Sequence, residues 1–418
     1  MTQAKHLFRK LQHAFGQDTL SAERALISTI QTEPRTAVTA AELGALTDQL
    51  GLPVIDKSEE QMERDWYLYR GQKLIRQESW TQLSVEIQQF DEMRAMTSGG
   101  TPISELLTRG ARGDIVQPIR RSLEDQNTSP NTDGLSAYQA IADANPKDYG
   151  IAMIVAYTHM DAAWVWQHYS PQPNAEVSRN AQHHHFKIAR ALLDPFDARR
   201  LNAPALAATK CAALPAQENP KASMTKLYET LVSLDPKTAQ YLRSFGTNLL
   251  PGRFGNYEML NTWALKALEH TRKLWGTGAY AWVYLDALRQ DAGAFGVLDL
   301  NLFMEAVIDI LDRCNDQHTA NLFAAFTAVT LVQPAPGREN FSGRRRRLQL
   351  NEAADWIIET QLREIHPLVW ADALPRGLGI PGDLGTEARK DLGEETAVRI
   401  LAPSAEQKSR LGNLPSAI

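Results

Sequence analysis

Cysteine is scarce in this chain of 418 residues: only Cys211 and Cys314 occur. Two thiols make a disulfide framework a poor reading and fit a reducing compartment. Long apolar runs are missing too. No stretch approaches the roughly 18 apolar residues of a membrane span, and the N-terminal MTQAKHLFRKLQHAF has no continuous apolar region or small-residue cleavage site of a secretory signal. A water-soluble, cytoplasmic protein is therefore expected. There is no excess of positive charge, since Lys and Arg number 44 against 49 Asp and Glu. This balance gives no global attraction to nucleic acid or anionic lipid.

Strand-like alternation of β-branched and aromatic residues is also nearly absent. Helix signals run the length of the chain instead. Leu7, Phe8, Leu11 and Phe15 make one amphipathic pattern, and Thr39-Ala-Ala-Glu42 reads as a capping box. Ser58-Glu-Glu-Gln61 opens a run with Met62, Trp66, Tyr69 and Leu74 at helical spacing; after a turn at 77–79 a second run carries Leu83, Ile87, Phe90 and Met93. Further helices are predicted over about 134–145, 149–169, 181–193, 221–234, 237–250, 256–274, 277–291, 299–313, 318–332 and 351–365. The expected fold is all-α, with helix pairs of roughly 34–45 residues stacked as in an α-solenoid.

Three segments are expected. A helical unit spans 1–125, a helical array 134–332, and a C-terminal helix with a partly irregular tail 340–418. The breaks are placed where Gly, Ser, Thr, Asn and Pro concentrate, in 97–133 and 333–340.

Motifs that would announce an enzyme are few. Gly377-Leu-Gly379-Ile-Pro-Gly382 matches a dinucleotide fingerprint in letters, but too little chain follows for the β-α-β unit that gives the motif its meaning. No Walker loop, G-x-S-x-G elbow or H-E-x-x-H occurs. His159, Asp161, His168 and the run His183-His184-His185 offer metal-ligand types. On helices, however, His159 and His168 fall on opposite faces, and consecutive histidines diverge by about 100°. No metal and no cofactor is expected. Arg344-Arg345-Arg346-Arg347 is read as a solvated face, or one meeting an acidic partner, with Glu352, Asp355 and Glu359 near enough in sequence to neutralise it. Four arginines on an acidic chain argue against a dedicated nucleic-acid binder.

The stretch YLRSFGTNLLPGRFGNYEML at 241–260 resembles the helix-loop-helix of an uncharacterised bacterial family of tetratricopeptide-like proteins that carry a variant of L-P-R-W-G-G between two helices. AYTHMDAAWVWQ, at 156–167, is similar to an earlier helix of that family, and the likeness covers about 134–290. In this chain Gly252 is inserted beside Arg253, and Phe254 stands where the family has Trp. Residues 66–90 and 236–265 also resemble tetratricopeptide units, with Gly71 and Gly246 where paired helices approach. The resemblance implies a helical-repeat fold and no particular activity.

The turn Pro251 to Asn256 reads as a helix stop, two glycines free to take positive φ, and an Asn cap for the next helix. The expected function is non-catalytic: a scaffold that binds a partner protein or peptide on its helical surface. Candidate contacts are Arg253, Phe254, Asn256, Trp164 and Trp166. The alternative is an all-α metal-dependent hydrolase using His159, Asp161, His168 and His183 to His185.

Overall fold

The computed structural model describes residues 50–125, 130–169, 175–374 and 384–412, with residues 44, 47 and 48. The N-terminal amphipathic pattern, the Thr39–Glu42 capping box and the Gly377–Gly382 motif lie outside the described residues. Among those described, the chain is helical throughout, with only two isolated bridges, Val54 with Ile365 and Met96 with Pro102, in place of strands. No helix among them is long and apolar enough to cross a membrane.

The described residues form two compact units, those of 59–255 making one, and those from 256 onward together with those before 59 making the other. This differs from the three segments read from sequence. The region 97–133, expected to be a boundary, holds a long helix at the centre of the first unit.

In that unit the helices are α1 (Glu59–Arg76), α2 (Trp80–Met93), α3 (Ile103–Glu124), α4 (Asp133–Ala144), α5 (Tyr149–Tyr169), α6 (Ala175–Leu193), α7 (Ala198–Leu201), α8 (Pro204–Ala212), α9 (Pro220–Leu234) and α10 (Ala239–Asn248). Most of the predicted spans return within a few residues. Helix α3 was not foreseen, because its Gly110, Gly113 and Pro118 resemble linker residues. Its Leu106, Leu107, Ala111, Ile119 and Leu123 are nonetheless buried. The glycines permit contact here. A Cβ on Gly110 would sit 2.0 Å from the Leu68 carbonyl oxygen, and one on Gly71 would sit 2.2 Å from that of Leu107. The close approach of Gly71 is thus to α3, and not to α2, its partner in a tetratricopeptide hairpin. Helix α5 packs on both α3 and α6, and its Ala162, Val165 and Trp166 share a cluster with Ile119, Leu123 and Leu135.

Helix α8 shows how one element ends another's unmet hydrogen bonds. Ala203 caps it without a side-chain bond, and the Ala205 N–H is accepted at 2.7 Å by Asp91 from α2. Burial pushes the Asp91 carboxyl up to about 7, against the bonds from Ala205 and Tyr149 that favour its charged form.

The second unit contains α11 (Tyr257–Trp275), α12 (Gly278–Gln290), α13 (Leu300–Cys314), α14 (Gln317–Ala328), α15 (Phe341–Glu352), α16 (Ala354–Gln361), α17 (Pro367–Ala373) and α18 (Thr386–Gly412). The C-terminal region is richer in helix than expected. Ala397, Val398 and Leu401 of α18 are buried, and a Cβ on Gly393 would collide with the Pro367 carbonyl, so α18 packs tightly on α17. Asn321, wholly buried on α14, fastens the 364–370 segment. Its amide donates to the Gln317 and Glu364 carbonyls at 2.8 and 2.9 Å; its carbonyl accepts from His366 N–H and Trp370 Nε1–H at 2.9 and 2.8 Å. Before α1, Ile55 N–H donates to the Ile365 carbonyl and Ile365 N–H to that of Pro53, both at 2.9 Å, and Lys390 Nζ meets Asp56 at 2.9 Å.

Candidate binding site

The turn 249–256 is built on the carbonyls left open where α10 ends. Arg253 N–H donates to Leu250 at 3.0 Å, Phe254 N–H to Asn248 at 3.1 Å and Gly255 N–H to Leu250 at 3.3 Å. Asn256 then caps α11, its side-chain oxygen accepting from Met259 N–H at 2.8 Å. The expected positive φ at Gly252 and Gly255 is not found; the glycines with positive φ are Gly51, Gly100, Gly276 and Gly337. Gly255 is needed for another reason: a Cβ there would lie 2.3 Å from the Leu249 carbonyl oxygen. The boundary between the two units falls inside this turn.

Of the sequence-predicted contacts, the fold joins two. The exposed Arg253 guanidinium lies 6.0 Å from the ring of half-buried Trp164, which also meets Phe186 edge-on at 5.3 Å. This is the outer limit of a cation–π contact and leaves the guanidinium open to solvent. Phe254 is half-buried and Asn256 exposed. Trp166, by contrast, is buried in the α3–α4–α5 cluster and is core.

The histidines do not gather as a hydrolase site would require. His159 and His185 are both buried, with their Nδ1 atoms 3.0 Å apart, so one donates to the other. Burial, then the neighbouring imidazoles, pushes His159 down to about 3; burial, then His184, pushes His185 down to about 4. Both are uncharged near neutrality, and His159 Nε2 is buried with no hydrogen-bond partner. His183 and His184 are exposed. Asp161 is turned to Arg112 in an ion pair, and His168 Nδ1 lies 2.8 Å from the Trp164 carbonyl. Among the described residues no group of three or more His, Cys, Asp or Glu is placed to hold a metal ion.

The arginine run divides: Arg344 and Arg345 are exposed, as a solvated face would have them, whereas Arg346 is half-buried and Arg347 is built into the fold. Arg347 is buried, paired with Glu339 through Nε at 2.7 Å and Nη2 at 3.3 Å, and donates to the Leu331 and Val332 carbonyls. Its neutralising partner is Glu339, ahead of the run.

A groove that sequence reasoning did not find lies between α1 and α3 and has a volume of about 620 Å³. Tyr69 and Gln72 line one wall, Glu105 and Arg109 the other, and the Arg112–Asp161 pair its floor. Met62, Trp66 and Tyr69 run along the adjoining face of α1 and are 51, 58 and 53% exposed. The periodicity of this stripe suggested a core face. A helical wheel puts Gly71 opposite Met62, and the face with Gly71, Leu74 and Ile75 is the one that packs. A glycine on the side away from the aromatics was the available signal. Arg109, at the groove's rim, is exposed with no partner among the described residues; Glu105 accepts from Gln240 at 2.6 Å.

Comparison with protein-family models, curated proteins and solved structures finds no match for this chain.

Proposed function

We propose that the chain acts by binding a partner protein or peptide, and that the α1–α3 groove is where it does so. The observation that carries this reading is the exposed Met62, Trp66 and Tyr69 stripe beside a groove of about 620 Å³. Water-exposed aromatics in a row are costly for a monomer and supply anchoring energy to a partner. Arg109 at the rim suits an acidic side chain flanking the partner's apolar anchors. The α-solenoid is part of the same proposal: α8 with α9, α11 with α12 and α12 with α13 are sequence neighbours that pack together, as a stacked array requires. The hydrolase alternative has only the His159–His185 pair behind it.

Affinity capture with the full chain, read by quantitative mass spectrometry, compares the native sequence with Trp66→Ser/Tyr69→Ser and with Arg253→Ala. The reading expects one partner to fall away in the double variant, whose exposed substitutions leave the melting temperature nearly unchanged. Retention of every partner by that variant sinks it, and loss confined to Arg253→Ala moves the site to the Arg253–Trp164 patch.

A further inference from the structure

Two members of the arginine run line a second, open cavity, bordered by α11, α13 and α15 within residues 256–352 and also about 620 Å³. From it we infer a binding site for a small organic phosphate, with Arg345 and Arg346 holding the phosphoryl group.

The two cations are prepared differently. Arg346 Nη1 donates to the Phe295 and Gly296 carbonyls at 2.9 and 2.8 Å. Neutral carbonyls hold this guanidinium in place without cancelling its charge. Arg345 is exposed and has no hydrogen-bond or ion-pair partner among the described residues. One cation is thus fixed and its neighbour is free to close on a ligand, a pairing that suits a doubly charged phosphate. Asp299, the acid among the lining residues, accepts from Leu302 N–H at 3.0 Å as the cap of α13, and the two arginines outnumber it. The lining keeps a positive balance.

The remaining wall describes the rest of the ligand. Asn261 and Ser342 offer polar contacts, whereas Leu265, 41% exposed, and Leu298 present apolar surface. A bare phosphate ion would leave most of this volume unused, and ligand pockets of 300–1,000 Å³ take molecules with an organic body. A phosphate monoester with a compact apolar group satisfies both halves. A nucleic-acid strand fits less well, because Arg347 is consumed by Glu339 and the basic residues lining this cavity are a local pair, Arg345 and Arg346.

Phenyl phosphate is the probe, titrated into the full chain by calorimetry and followed by phosphorus NMR, with inorganic phosphate and phenol as comparisons. Saturable binding of phenyl phosphate is expected, weaker binding of inorganic phosphate, and none of phenol. Arg345→Gln should weaken the complex by about tenfold or more with an unchanged melting temperature, since a charge-assisted contact is lost from a side chain the fold does not use. Arg346→Gln should weaken it as well. The Trp66→Ser/Tyr69→Ser variant should bind phenyl phosphate as the native chain does, which separates this site from the proposed protein-binding groove. A titration that never saturates, or equal affinity in Arg345→Gln, overturns the inference. Tighter, steeply salt-dependent binding of a single-stranded oligonucleotide than of phenyl phosphate also overturns it, in favour of a nucleic-acid surface.

Discussion

Arg345 and Arg347 lie in the same run, yet their removal should have opposite outcomes. Arg347→Gln leaves the Glu339 carboxylate without its partner in a buried place, which costs about 3–5 kcal/mol. Arg345→Gln changes an exposed, unpaired charge and should stay within about 0.5 kcal/mol. Urea denaturation of the two variants measures the difference directly; similar midpoints would refute the burial of Arg347. The histidine pair makes a second prediction. Unfolded histidine protonates near 6.5, while folded His159 and His185 resist protonation to about 3 and 4. Their neutral burial is therefore without penalty above pH 6.5, and stability is lost as pH falls below it, by about 2 kcal/mol per histidine at pH 5. Asp91, raised to about 7, acts with the opposite sign over the same range. The informative quantity is thus a difference: His159→Gln should lose less stability than the native chain between pH 6.5 and 5, and parallel curves would count against the buried pair. Neither arginine roles nor imidazole burial is legible in the sequence, because four consecutive arginines look alike until tertiary contacts sort them.

At the level of helices, close contact is written in glycine. Gly110→Ala should force α1 and α3 apart, and Gly255→Ala should press a methyl into the Leu249 carbonyl; each is expected to cost about 1–3 kcal/mol. Gly252→Ala should be nearly silent, because its added methyl meets nothing within 4 Å and its φ is not positive. Thermal melts on the three variants check the contrast, and an unchanged Gly110→Ala would contradict the α1–α3 approach. The same residues explain what periodicity could and could not reveal. Helices 149–169 and 300–314 were readable because their apolar spacing is uninterrupted. Helix α3 was not, since Gly110, Gly113 and Pro118 carry the signature of a linker while serving as a packing face. The Met62–Trp66–Tyr69 stripe shows the complementary difficulty. Spacing reveals that a helix has an apolar side, and only the neighbours decide whether that side is covered.

For the whole molecule, the division at Gly255 makes its own prediction. A fragment of residues 59–255 contains its own core and should fold alone, giving a cooperative thermal transition and a helical circular dichroism spectrum. Removing everything before residue 59 from the full chain should instead weaken the unit that begins at 256, because it deletes the Pro53–Ile55 pairing with Ile365 and the Asp56–Lys390 contact. A non-cooperative fragment would argue against the division. The sequence boundaries at 97–133 and 333–340 followed composition, whereas the division at Gly255 follows which helices pack together.

The pairing of Ile55 with Ile365 also bears on how the chain is made. Synthesis proceeds from the N-terminus, so the 53–58 segment leaves the ribosome long before residue 365 exists to receive it. The 59–255 unit can close while the later helices are still being translated. Its companion cannot, because one of its pieces waits, without its Ile365 partner, until residue 365 has emerged. Such long-range closure is slow, and the waiting segment is exposed to mispairing meanwhile. A nascent chain stalled before residue 365 would thus carry one finished unit and one open end.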